Sequence, residues 1–202
     1  MKISQKYDVN ISNAFSFSSR VTNAKIKVIC GPMFSGKTKT LIKTIDTFKS
    51  AGKKVIVFKP KLDNRYAEEE VVSHDSDATP AVNVSRPVEI MDLFHQADVV
   101  AIDEVQFFDD SIVSVCGMIA DQGKTVLVAG LDMDYRGNPF GPMPALMTMA
   151  DEIEKLNSVC TFCSGKARFS HRVSSEGEVV VLGEKDKYVP LCRSCYNELK
   201  QE

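Results

Sequence analysis

The chain has 202 residues, 44% of them apolar and 26% charged, and a formal net charge of −2 at pH 7. This length gives room for one α/β domain plus a small appendage, with enough core to fold without covalent staples. The near-neutral charge, without a long basic run, argues against nucleic-acid backbones or anionic membranes as main partners, because both demand a strong positive field.

No stretch approaches the ~20 consecutive apolar residues of a membrane span. Met1 to Asn23 is rich in Ser and Asn and carries Lys2, Lys6 and Arg20 against a single acid, Asp8. An organelle-transit reading competes with a disordered extension over residues 1–24. The absence of Arg enrichment and of an apolar run favours the extension and a cytoplasmic protein.

Lys25 to Cys30 reads as a first strand, broken by Gly31 to Lys37. A helix follows from about Thr38 to Ser50, with Leu41, Ile42, Ile45 and Phe48 on one face. Gly52 stands where a helix stop is expected. Lys54 to Phe58 is a second, nearly continuous apolar strand of the kind a parallel sheet buries on both faces. From Pro60 to Thr79 the pattern fails, and the segment reads as a long mobile loop.

A short strand at Ala81 to Val84 and a helix at Val88 to Gln96 come next. Val99 to Glu104 is a buried strand ending in two acids. A helix over Ser111 to Asp121 stops at Gly123, and Thr125 to Leu131 is another buried strand. Strands alternating with helices imply a parallel sheet flanked by helices, with ligands beyond the carboxyl ends of the strands. From Asn157 the sequence turns to paired cysteines and short alternating runs. The expected division is an N-terminal extension (1–24), a nucleotide-binding α/β domain (25–156) and a small cysteine-bearing domain (157–202).

Gly31-Pro32-Met33-Phe34-Ser35-Gly36-Lys37-Thr38 matches G-x-x-x-x-G-K-[ST] between a predicted strand and a predicted helix. The glycines let backbone N–H groups turn inward on phosphate oxygens, and the helix N-terminus adds partial positive charge. Lys37 is expected to bridge the β- and γ-phosphates, with the Thr38 hydroxyl on Mg²⁺. Asp103, at the tip of a buried strand, suits the same metal. Glu104 points to the other side of that strand and reads as a general base, against the plainer reading of a solvated loop acid. Phe107 and Phe108 read as core.

Cys30 and Cys116, in apolar surroundings, read as buried thiols. Cys160-x-x-Cys163 and Cys192-x-x-Cys195, with Ser164 to Leu191 between them, read as one four-thiolate Zn²⁺ site. That interval exceeds the ~15–20 residues of the commonest spacing, so the metal would clasp the base of a long loop. A redox reading needs a single pair inside a βαβ unit, whereas two pairs lie outside it. His171, midway along the loop, is left out of the metal set.

Five segments, GPMFSGKT, DNRY from Asp63, IDEVQFF from Ile102, GLDMDYRGNPFG from Gly130 and KYVPLCRSCY from Lys187, closely resemble the type II thymidine kinases, a zinc-containing family of bacteria and animal cytosol. The resemblance runs from about Lys25 to Tyr196. It implies a RecA-like P-loop sheet with a zinc-held lasso loop, and transfer of the ATP γ-phosphate to the 5′-hydroxyl of deoxythymidine. Glu104 matches the family's catalytic base, Asp103 the acid holding water-bridged Mg²⁺, and Arg65 an arginine that reaches the transferring phosphate. Val105 and Gln106 match further phosphate-site positions.

The same resemblance implies a nucleoside pocket lined by Met33, Leu131, Tyr135, Phe140, Phe169, Ser170, His171, Arg172, Val179, Val181, Leu182, Gly183 and Tyr188. Tyr135 replaces a Phe of many members, which bears on base selectivity and leaves the chemistry untouched. A homotetramer inhibited by dTTP is implied as well. Two rival readings remain, an ATP-driven nucleic-acid motor and a zinc-ribbon binding module with a degenerate nucleotide domain. The charge balance opposes the first, and the intact phosphate loop with Asp103 and Glu104 opposes the second.

Overall fold

A computed structural model describes residues 25–61, 70–72, 78–173 and 187–199. The first strand, β1 (Ile26–Cys30), runs into helix α1 (Lys37–Ser50) and returns as β2 (Val55–Pro60). The interval expected to be an unstructured loop is structured in part. A β3 strand (Glu70–Val72) pairs antiparallel with β4 (Ala78–Pro80), Val71 opposite Thr79. Three-residue strands are too short to show a period, which is why the sequence pattern hid them.

After β5 (Val82–Val84) come α2 (Glu89–Leu93), continued as a 3₁₀ turn through Gln96, and β6 (Val99–Ile102). This strand is shorter than expected, and Asp103 and Glu104 lie beyond its end. A 3₁₀ turn (Val105–Phe107), α3 (Ser111–Asp121) and β7 (Thr125–Gly130) follow. The sequence reading missed α4 (Met143–Met149) and β8 (Glu152–Lys155).

Six of these strands form one sheet in the order β5-β2-β6-β7-β1-β8, and each neighbouring pair is parallel. Alternating strand residues feed two cores. Ile29, Ala101, Leu127 and Ala129 pack with Leu41, Ile42 and Ile45 of α1. Val28, Cys30, Val100, Ile102, Val126 and Val128 pack with Ile112, Cys116 and Ile119 of α3 and with Met143 and Leu146 of α4. Burial on both faces explains the continuous apolar runs. Parallel pairing brings the carboxyl ends of β1, β6 and β7 to one edge of the sheet.

A smaller unit follows. The hairpin of β9 (Ser158–Val159) and β10 (Lys166–Ala167) leads to an antiparallel pair, β11 (Phe169–Arg172) with β12 (Tyr188–Leu191), and then to α5 (Arg193–Leu199). Its own core holds Cys160, Ala167, Phe169, Leu191 and Tyr196. Among the described residues no helix is long and apolar enough to cross a membrane.

Candidate active site and cysteine cluster

The phosphate loop leaves β1 at Gly31, where a Cβ would stand 2.6 Å from the Leu156 carbonyl oxygen. Only glycine fits that approach. Gly36 enters α1 in the left-handed region (φ 83°) and places no side-chain cap over the helix N-terminus, so its N–H groups stay open to an anion. Lys37 is buried, and its Nζ donates to the Pro32 carbonyl at 2.9 Å. Burial drives the Lys37 pKa down, against the opposing charges of Glu104, Asp103 and Asp132. The Ser35 hydroxyl is buried with no hydrogen-bond partner among the described residues, an orphaned polar atom in a loop built for phosphate oxygens.

Thr38 Oγ1 donates to Asp103 Oδ2 at 3.0 Å. Asp103 Oδ1 accepts the Glu104 N–H at 3.0 Å. Burial and the adjoining Glu104 charge raise the Asp103 pKa to about 7. Glu104 is not on the strand as the sequence suggested. It sits in the left-handed region (φ 52°, ψ 37°), a conformation that costs a non-glycine residue roughly 1–3 kcal/mol and is tolerated where the surroundings fix it. Those surroundings include Gln106, whose Nε2 donates to Glu104 Oε2 at 2.5 Å while its Oε1 accepts the Leu131 N–H at 3.0 Å. Val105 is fully buried in the core, as is Phe108 for the most part. Phe107 meets Phe140 edge-on at 5.6 Å.

β11 divides the expected pocket residues between its two faces, as strand alternation demands. Ser170 and Arg172 share one face. Ser170 Oγ accepts the Met33 N–H at 2.8 Å, tying this strand to the phosphate loop. The Arg172 guanidinium lies 3.9 Å over the Tyr135 ring and donates to the Tyr188 hydroxyl at 2.7 Å. Phe169 and His171 face the other way. Phe169 stacks on Tyr196 at 4.3 Å within the small core, and His171 meets the same ring edge-on at 6.0 Å. Partial burial lowers the His171 pKa. Met33, Leu131, Tyr135 and Phe140 are all half-buried.

The thiols of Cys160, Cys163, Cys192 and Cys195 lie within 4.8 Å of one another. The first pair occupies the β9–β10 turn, where Cys160 N–H donates to the Gly165 carbonyl at 2.7 Å. The second pair begins just after β12 and enters α5. Four sulfurs around one point suit tetrahedral Zn²⁺, which needs roughly 2.3 Å to each thiolate. His171 is not among them. Cys30 and Cys116 are buried, and desolvation pushes their pKa values up to about 11 and about 12. Arg65, Val179, Val181, Leu182 and Gly183 lie outside the described residues.

A family model described as thymidine kinase matches residues 24–196. The chain belongs to the thymidine kinase family. It is 48% identical over 178 residues to a thymidine kinase of Bacteroides thetaiotaomicron, covering 88% of this chain and 89% of that protein. A Porphyromonas gingivalis thymidine kinase is 46% identical, over 95% of this chain and 93% of its own. One from Rhodothermus sp. is 47% identical, over 85% and 80%. Among solved structures, the flagellar accessory protein FlaH from Methanocaldococcus jannaschii superposes with a TM-score of 0.49 at 13% identity, over 71% of this chain and 75% of that one.

Within this thymidine kinase fold, Gln106, expected at the phosphates, also braces Glu104, and two further contributors, Ser158 and Asp132, were not expected from the sequence. Ser158 Oγ donates to the Phe34 carbonyl at 3.1 Å, backing the phosphate loop from the cysteine-bearing unit. Asp132 is buried beside the loop and pairs with Lys155. The Leu-Asp step after an apolar strand was a usable signal for Asp132; nothing local marks Ser158.

Proposed function

We propose that the chain transfers the γ-phosphate of ATP to the 5′-hydroxyl of deoxythymidine, giving dTMP. The observation that carries this reading is a single hydrogen-bonded cluster. Thr38 of the phosphate loop binds Asp103, Asp103 binds the Glu104 backbone, and Gln106 links the Glu104 carboxylate to Leu131 of the expected nucleoside wall. This cluster supports a meeting of phosphate donor and nucleoside acceptor across Glu104.

In this reading Gly31 to Thr38 cradles the ATP phosphates, and Lys37 exchanges the Pro32 carbonyl for phosphate oxygens. Thr38 and Asp103 form a hard oxygen pair that fits Mg²⁺, which when bound neutralises charge on the β- and γ-phosphates. Glu104 accepts the 5′-hydroxyl proton as the phosphoryl group leaves ATP. Lys37 stabilises the charge that develops, joined by Arg65. Met33, Leu131, Tyr135, Phe140, Ser170, Arg172 and Tyr188 bound the nucleoside, with Val179, Val181, Leu182 and Gly183 contributed by the zinc-held loop. Phe169 and His171 support that wall from behind.

Zinc in the four-cysteine cluster is structural, because four thiolates leave it no open position for catalysis. The separate small core supports a division into 25–156 and 157–202. On the strength of the family resemblance we also adopt a cytoplasmic homotetramer with dTTP as feedback inhibitor. The test is Glu104→Gln, expected to lower kcat by ~10²-fold or more while ATP affinity survives. Full turnover in that variant would remove Glu104 from its role.

A further inference from the structure

The turn that carries Tyr135 is closed on itself and set against the cysteine-bearing unit. Met133 bridges Pro139, and Asp134 Oδ1 accepts the N–H groups of Arg136 and Asn138, each at 2.9 Å. Gly137 N–H donates to the Asp134 carbonyl at 3.0 Å. Gly137 is left-handed (φ 79°), and a Cβ there would stand 3.2 Å from the Tyr196 hydroxyl and 3.5 Å from the Phe169 ring. Glycine thus satisfies the turn and lets it lie close on the second unit.

Tyr196 belongs to α5, one residue after Cys195, and is buried. Its ring stacks on Phe169 at 4.3 Å within the small core. Its hydroxyl reaches out of that core and donates to the Tyr135 carbonyl at 2.9 Å. The Tyr135 ring is covered separately, by the Arg172 guanidinium at 3.9 Å, which donates in turn to the Tyr188 hydroxyl. The cysteine-bearing unit therefore grips Tyr135 twice, once by its backbone and once by its ring. The Tyr135 carbonyl shares a rigid peptide plane with the Cα that bears the ring, so holding one fixes where the other starts.

We propose that Tyr196 is a positioning residue for the nucleoside: its hydroxyl, by holding the Tyr135 carbonyl, sets where the Tyr135 ring stands in the thymidine site. The inference rests on Tyr135 lining that site, as proposed above. Tyr196 adjoins a cluster cysteine, so the metal-binding unit reaches the nucleoside wall through this bond as well as through β11.

The test is steady-state kinetics of the zinc-loaded full chain carrying Tyr196→Phe, which keeps the stacked ring and removes only the hydroxyl. The KM for thymidine should rise about three- to ten-fold, with kcat and the KM for Mg²⁺-ATP within about two-fold of the parent and zinc content unchanged. A merely structural role gives a different pattern. A loosened β11 would reach the phosphate loop through Ser170 at Met33 and raise the KM for ATP as well. Tyr135→Ala supplies the second arm, because it keeps the carbonyl and removes the ring. In that background Tyr196→Phe should change the thymidine KM by less than about two-fold. An unchanged thymidine KM in Tyr196→Phe, equal rises for both substrates, or the full rise in the Tyr135→Ala background overturns the inference. So does a Tyr196→Phe chain that loses zinc or does not fold, since the hydroxyl would then be structural. If Tyr135→Ala alone leaves the thymidine KM unchanged, Tyr135 leaves the nucleoside site and this inference falls with it. If Tyr135→Ala raises that KM and Tyr196→Phe does not, only this inference falls.

Discussion

Asp103 is held between Thr38 and the Glu104 backbone, and burial raises its pKa to about 7 from an ordinary carboxylate value near ~3.9. Its folded form therefore holds a proton more tightly than its unfolded form. The stability this group contributes is complete below about pH 4 and is lost as pH rises through about 7. Asp103→Asn, which cannot ionise, should raise the melting temperature of the metal-free protein at about pH 8, with the gain shrinking toward about pH 4. Equal melting temperatures at both pH values would show that Asp103 is not desolvated in solution. Gln106 acts differently, as the bracket between the Glu104 carboxylate and the Leu131 N–H. Gln106→Ala leaves both groups without that partner, and a kcat loss of about ten-fold with unchanged ATP affinity is expected in steady-state kinetics. The two acids were legible in the sequence because charge rarely ends an apolar run without purpose. The left-handed turn at Glu104 and the Gln106 bracket were not, since both depend on where β7 delivers Leu131.

Elements differ in how plainly they were written. β1, β2, β6 and β7 are apolar runs buried on both faces, so composition alone marked them. The edge strand β8 is Glu-Ile-Glu-Lys, with Ile153 45% exposed, and it pairs its acids with Lys25 and Lys27 of the β1 segment. Its charges made it look like a loop. Pro142 and Pro144 likewise disguised α4, although Pro is tolerated in a first helical turn. The paired cysteines were legible through spacing, while the hairpins that carry them were too short to show a period. A reactivity pattern follows from these placements. Cys30 and Cys116, with pKa values near 11 and 12, should resist alkylation at neutral pH. The cluster cysteines should become reactive once a chelator removes about one zinc per chain, and thymidine binding should weaken with that loss, because β11 carries Ser170 and Arg172. Mass spectrometry of alkylated peptides reads the first outcome. A native protein free of zinc, with all six thiols equally reactive, would contradict it.

Across the whole molecule, two units converge on one edge. The parallel sheet delivers the phosphate loop, Asp103 and Leu131 from the ends of three strands. The cysteine-bearing unit reaches back to the loop through Ser158 at Phe34 and Ser170 at Met33. The sequence foretold both units and their order. It could not show that the second unit buttresses the phosphate loop, because those contacts join residues far apart in the chain. For a member of the thymidine kinase family the outcome is a phosphate moved from ATP to thymidine. Incubating the purified chain with γ-labelled ATP, Mg²⁺ and a panel of acceptors tests that outcome directly, the panel being thymidine, other deoxynucleosides, single-stranded DNA and water. Label should pass to thymidine as dTMP at a rate unaffected by DNA. Release of free phosphate stimulated by DNA, with no labelled dTMP, would contradict the account.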